Sequence, residues 1–378
     1  MFRDLAKMLS GSGPVNWEIA RQVSTYIATD GQPEGNVDPL ARMHVEELSR
    51  VAVLHVANVT GLETSASGGI VALRPVGRAE WTNRTLDAYR PLLEKLATSL
   101  SAATGGEADA LGEAPDPSTD LLGGLTRVMS PVLLGMQSGF MVGHLSQRAM
   151  GQYDLPIPRP QSDELLVVPA TITSFAGDWS LPPDDVLLWV CLSEVAHHAV
   201  LSRPHVRARL EELLSEYVSG FQPDSGALDA RLEGIDPTNP ETLQSVLGDP
   251  ETLLGAMQSP AQDATRRQLD ALSAAIEGYV DHVLDSIGER LLGSYHSLTE
   301  ALRRRRVERG DGDKFVERLF GLELGQAQYE RGSAFVDGVV ERAGKDGLAR
   351  LWGSARELPT PAEIDAPGLW LERIDIPD

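Results

Sequence analysis

The stretch from Leu181 to Val200, LPPDDVLLWVCLSEVAHHAV, constrains this chain most. Prolines stand where the first helical turn needs no N–H donor, and two acids follow at the positive end of the dipole. An apolar run comes next, and polar groups appear inside it. The segment therefore reads as one buried helix, residues 182–201. Ser193 and His197 lie four apart, as do Glu194 and His198, so each pair shares a face. Ionisable groups in so apolar a segment are costly unless paired with one another or bound to a metal.

The nearest chemical pattern is His-Glu-x-x-His, in which two imidazoles one turn apart bind zinc and the glutamate takes a proton from metal-bound water. Here the order is Ser193-Glu194-Val195-Ala196-His197. The base, Glu194, and one ligand, His197, are in place. A serine hydroxyl, a poor zinc ligand, occupies the first ligand position. His198 is the nearest substitute, but it is rotated about 100° from His197 around the helix.

The chain has 378 residues, enough for two or three ordinary domains, and a formal charge of −22 from 33 basic and 55 acidic residues. That charge argues against a nucleic-acid partner, because a polyanion would be repelled. The run Arg303-Arg304-Arg305-Arg306 is the local exception and is expected to be a solvated helix face. The single cysteine, Cys191, rules out an intrachain disulfide and a cysteine zinc cage, and it reads as a small core residue. No signal peptide is apparent. The apolar region 121–145 is broken by Arg127, Gln137 and Ser138, which makes it a core helix and no membrane span. A cytoplasmic protein without membrane contact is expected.

Helical periodicity opens at Val15, with Trp17, Ala20 and Val23 inward. A second helix capped by Asp38-Pro39 runs through Ala57, with Leu40, Met43, Leu48, Val51 and Leu54 as its stripe. His44 and His55 on or beside it read as hydrogen-bonded core residues. Val71–Val76 is a short extended piece, a helix runs from Trp81 through Leu100, and 102–119 reads as a mobile loop. Gly135, Gly139 and Gly143 recur every four residues within a helix, which calls for a second backbone packed very close. Glu164–Ile172 is the best strand candidate, its Pro169 favouring a sheet edge at which an extended peptide could pair. An amphipathic helix over Val206–Phe221 and a proline-rich connection over 222–251 follow. In the helix from about Ser259, Glu277 interrupts an apolar face, and a metal or a histidine of the central helix would be its partner. Lys314–Val336 reads as helical, and Trp352 and Trp370 as anchors for the tail.

Together, Val15-Asn16-Trp17, Gly139-Phe140-Met141-Val142-Gly143, Gln152-Tyr153-Asp154, the central helix with Pro204-His205-Val206-Arg207, Glu277-Gly278-Tyr279 and Gln328-Tyr329-Glu330-Arg331-Gly332 carry a resemblance over most of the length. The chain resembles a bacterial family of zinc-dependent metallopeptidases of zincin-like type, one branch of which is labelled as associated with deazaflavin coenzyme biosynthesis. The resemblance implies a mainly α fold, α+β with a small edge sheet. A helical N-terminal region (1–160) would precede a zincin-like region (161–378). It also implies Glu194 as general base, His197 as a zinc ligand and Glu277 as a third ligand; in a hydrolase, His198 or His282 would complete the set. Two functions follow. One is a zinc-dependent hydrolase of peptides with a degenerate Ser-Glu-x-x-His site. The other is an inactive zincin-like protein that binds a peptide or protein partner, with Glu194–His198 and Glu277–His197 as buried pairs. A di-iron carboxylate bundle would need a second Glu-x-x-His, which the sequence lacks.

Overall fold

The computed structural model describes residues 13–110, 117–221, 260–308, 310–322 and 325–376, with backbone alone at 101–110, 117–129, 260–261 and 311–312. The fold is mostly helical with one small sheet. In chain order the main elements are α1 (Trp17–Ala28), α2 (Pro39–Thr60), β1 (Ala72–Pro75), α3 (Arg78–Ala110), α4 (Pro117–Arg148), β2 (Glu164–Val167), α5 (Pro169–Asp178), α6 (Pro183–Leu201), α7 (Pro204–Ser219), α8 (Pro260–Leu291), α9 (Tyr295–Val307), α10 (Asp311–Phe320) and α11 (Gln326–Ala349). Two short helices, α12 (Pro361–Ile364) and α13 (Pro367–Asp375), complete the tail.

Helix α6 is the axis. Every residue from Val190 to Leu201 is buried, as an apolar circumference demands. Pro183 starts it, and Asp184 and Asp185 lie in its first turn. Asp185 accepts hydrogen bonds from the backbone and hydroxyl of Ser294 at 2.9 and 2.6 Å, which fixes the start of α9 against the start of α6. Helices α2, α5, α7 and α8 pack around it.

The four-residue glycine spacing of α4 has the consequence expected of it. A Cβ on Gly139 would lie 2.7 Å from the Ala20 carbonyl oxygen, and one on Gly143 would lie 2.8 Å from the Ile27 Cβ, so α1 lies along the glycine stripe. A similar approach joins α8 to α11, where a Cβ on Gly278 would overlap the backbone of Gly332. This contact sits beside Glu277. At the tail, Trp352 and Trp370 are fully buried, the first edge-on to Tyr279 and the second to Phe335.

Several expectations change. On α2 the inward positions are Val45, Ser49, Ala52 and Val56, while Leu40, Met43 and Leu54 are 71, 65 and 59% exposed. This buried face packs on α6 and β1, and Ser49 reaches Leu73 N of β1. The loop expected over 102–119 is helical up to Ala110 and again from Pro117; residues 111–116 lie outside the described residues. The connection read at 222–251 also lies outside them. Pro169 does not sit in a strand. Its ring, lacking an N–H, opens α5, so β2 stops at Val167. The segment 314–336 is two helices, because Gly321 takes a left-handed φ of 70° and ends α10.

Strands β1 and β2 pair in parallel, Leu73 opposite Leu165. Neither outer edge is open. On β2, Val168 N donates to Met150 O at 2.8 Å and Leu166 N to the Gln152 side chain at 3.2 Å. On β1, Leu73 N donates to Ser49 Oγ at 3.3 Å, and Pro75 has no N–H. The peptide-pairing edge expected from the sequence is therefore occupied by the chain itself. No described helix is by itself long and apolar enough to cross a membrane.

Candidate functional site

Glu194 projects from α6 toward the turn that follows α4. Its carboxylate accepts from Gln152 N at 3.0 Å and from Tyr153 N at 3.2 Å, and it is 3% exposed. Gly151 makes this possible, since a Cβ there would overlap the carboxylate. The turn is held in turn by Trp81 Nε1, which donates to Gly151 O at 2.8 Å. Burial pushes the Glu194 acid up, and the charge of Asp154 pushes the same way. His197 and the two backbone donors pull it down without prevailing, and it settles at about 8.

One turn on, His197 directs Nδ1 to the Ser193 carbonyl oxygen at 2.9 Å and Nε2 to Glu277 Oε1 at 3.3 Å. The Tyr153 ring stacks beside it, with centroids 6.1 Å apart and planes at 23°. Burial pushes the imidazole down, but the Glu277 charge and hydrogen bond raise it further, to about 9. His197 is an imidazolium facing a buried carboxylate. Ser193 Oγ lies 3.4 Å from Nδ1, so serine, histidine and glutamate stand in the order of a nucleophilic triad. The geometry excludes that chemistry: Nδ1 already donates to a carbonyl and cannot accept the serine proton.

His198 turns to the other side of α6. Its Nδ1 is 3.0 Å from the Tyr153 hydroxyl and its Nε2 3.4 Å from Asp163 Oδ1, a pattern met by the neutral Nε2–H tautomer. Burial pushes its pKa down, which keeps the ring uncharged despite Asp163. Asp163 accepts from Ser65 Oγ at 2.9 Å, from Ala66 N at 2.6 Å and from the Ser67 hydroxyl, tying the 65–67 loop to β2. The buried pairs are thus His197–Glu277 and His198–Asp163; Glu194 is held by backbone rather than by His198. His282 is five residues beyond Glu277, about 140° around α8, and does not line the central cavity.

That cavity, of about 150 Å³, is walled by Ser193, Glu194, His197 and Glu277 on one side. Arg148, Arg305, Arg306, Tyr153, Asp154 and Tyr329 line it as well. Arg306 makes a bidentate pair with Asp281, 2.8 Å for each bond, and lies 3.8 Å over the Tyr329 ring. Arg148 binds Asp313 at 2.7 Å, and Arg305 lies 3.4 Å from Asp154. Two members of the arginine run expected to be a solvated face are therefore cavity walls. Their α9 positions, one turn past Leu302, carried no distinguishing signal. The Gln152-Tyr153-Asp154 triplet, legible in the sequence only as part of the resemblance, supplies the amides that hold Glu194 and part of the cavity wall.

A zinc centre needs three protein ligands about a metal, with a fourth position for water or substrate. All eight histidines of the chain are among the described residues. Among those residues no three His, Cys, Asp or Glu side chains converge to hold a metal ion. On the cavity wall His197 faces Glu277, while His198 and Asp163 pair away from it. As arranged, the set does not fit zinc.

The family model for zincin-like metallopeptidases matches residues 15–371. A crystal structure of a proposed hydrolase with a novel fold, from Chloroflexus aurantiacus, superposes with a TM-score of 0.69 at 24% identity. It covers 96% of this chain and 100% of its own, so the two share a fold. Among curated proteins none matches. With the match spanning nearly its whole length, the chain belongs to the zincin-like metallopeptidase family.

Proposed function

We propose that this chain is a zincin-like protein whose centre binds a ligand and does not perform zinc hydrolysis. The observation that carries this reading is the use of the would-be zinc donors on one another: His197 closes on Glu277, and Glu194 closes on the Gln152 and Tyr153 amides. Ser193 supplies a hydroxyl where the pattern has imidazole. The cavity has room for roughly ten water molecules, which suits a polar ligand of amino-acid size or one end of a peptide. Its wall mixes arginines, carboxyls and tyrosines, so hydrogen bonds and charge, more than apolar area, would select the ligand. A peptide would have to reach the cavity end-on, because both edges of the sheet are taken.

Metal analysis after purification without chelator tests this. The native protein is expected to hold well under one zinc per chain. Ser193→His, which places a second imidazole one turn from His197, is expected to approach one. Stoichiometric zinc in the native protein would overturn the reading. The hydrolase reading draws on family membership and on an acid–base group, Glu194, at the cavity wall. It requires native peptide hydrolysis that Glu194→Gln abolishes. The deazaflavin-associated branch adds no residue to either reading.

A further inference from the structure

Helix α4 leaves a row of large apolar side chains in water. Leu133, Met136 and Phe140 stand three and four residues apart on one face and are 52, 37 and 46% exposed. The row lies beside the glycine stripe and so borders α1, whose Val23 and Ile27 side chains meet Gly139 and Gly143 and are themselves only partly buried. An apolar furrow between two helices is a surface that a third, amphipathic helix covers.

The chain supplies an occupant at one end of this furrow. Asn16 N donates to Pro131 O at 2.8 Å, and a Cβ on Gly135 would overlap the Asn16 carbonyl oxygen. The segment that precedes α1 therefore enters the fold within one turn of Leu133. Residues 1–12 lie outside the described residues, but their sequence, MFRDLAKMLSGS, has a helical period. Phe2, Leu5 and Leu9 repeat the three-and-four spacing of Leu133, Met136 and Phe140, with Ala6 and Met8 flanking them, while Arg3, Lys7 and Ser10 fall on the opposite face. At 1.5 Å per residue, a helix over 2–9 spans roughly 12 Å and the exposed row roughly 10 Å. Gly11-Ser12-Gly13-Pro14 provides the reversal that brings the segment back along α4. The side chains of 1–12 carry +1 (Arg3 and Lys7 against Asp4) in a chain of −22, which draws the segment to the body.

We propose that residues 2–9 pack as a helix along α4, antiparallel to it, with Leu9 against Leu133, Leu5 against Met136 and Phe2 against Phe140. A helix this short is unstable in water by itself, so its order depends on that packing. Docked, it braces the helix whose C-terminal end leads into the turn that holds Glu194.

Leu5→Cys combined with Met136→Cys in the full chain, under mild oxidation, tests the register; Cys191 is fully buried and does not compete. An intrachain disulfide is expected in most of the protein, read as the loss of both introduced thiols to a labelling reagent. Lys7→Cys with Met136→Cys, which places the first thiol on the outward face, should give none. Deleting residues 1–10, or Leu5→Asp, should raise the fluorescence of a hydrophobic dye and lower the melting temperature, while Arg3→Ser should change neither. A disulfide formed only between two chains would assign the row to a second copy and overturn the proposal. So would a Leu5–Met136 cysteine pair that stays reduced, or dye binding and melts that the deletion leaves unchanged.

Discussion

Glu277→Gln keeps the shape of the side chain and removes the charge opposite His197. Removing one partner of a buried ion pair costs about 3–5 kcal/mol, since the other charge is left uncompensated. An independent route gives a similar figure. The His197 pKa, pushed up to about 9 from 6.5 as the net of burial against Glu277, Glu194 and the Ser193 carbonyl, points the same way and corresponds to roughly 3 kcal/mol. The sign is that of a raised cationic group. The stabilisation is complete below pH 6.5 and disappears as pH rises through 9. In the variant the pull of Glu277 is gone, and burial, which pushes the imidazole down, meets only the weaker pull of Glu194 and the Ser193 carbonyl, so the His197 pKa falls. Urea denaturation followed by tryptophan fluorescence should therefore show the variant about 3 kcal/mol less stable at pH 6, with the gap narrowing by pH 10. An equal gap at both pH values, or a native His197 resonance titrating near 6.5, would refute the pairing argument.

Two further substitutions probe the scaffold. Gly139→Ala puts a methyl 2.7 Å from the Ala20 carbonyl where ordinary contact begins at 3.4 Å, so α1 must retreat by 0.7 Å (3.4 − 2.7). Alanine gains up to about 1 kcal/mol of helix propensity, and overpacking costs about 1–3 kcal/mol, so a lower melting temperature is expected; an unchanged or raised one would deny the close approach. Burial pushes Asp163 up, but hydrogen bonds from Ser67, Ala66 and Ser65 and the contact with His198 hold it well below the usual carboxylate range of 3.8. A depressed acid stabilises above its unfolded pKa and loses that contribution as pH falls through the folded one. Asp163→Asn should thus be less stable at pH 7 and show a shallower loss between pH 4 and 2 in the same denaturation assay.

The central helix was legible because burial leaves a plain mark in sequence: a long apolar run with a proline start and no polar face. The pairing of Glu277 with His197 was likewise foreshadowed, since a carboxylate on an apolar helix face must find a partner. The α2 stripe differs because large apolar residues suggest the core, whereas the buried face is Val45, Ser49, Ala52 and Val56 and leaves Leu40, Met43 and Leu54 exposed. Arg305 and Arg306 were missed because periodicity reports which side of α9 is polar but cannot say that a polar side faces a cavity. The hold on Glu194 was out of reach of any motif. It is made by main-chain amides, and its one trace is the absence of a side chain at Gly151.

Cys191 is fully buried on α6, one turn before Val195, and burial pushes its thiol far above the ordinary range. A thiol reagent can attack it only after the central helix parts from its neighbours and the sulfur meets water. The labelling rate of the native chain is therefore a clock for that opening, read without any introduced probe. Ligands that close the cavity should slow the clock, and substitutions that loosen the helix should speed it.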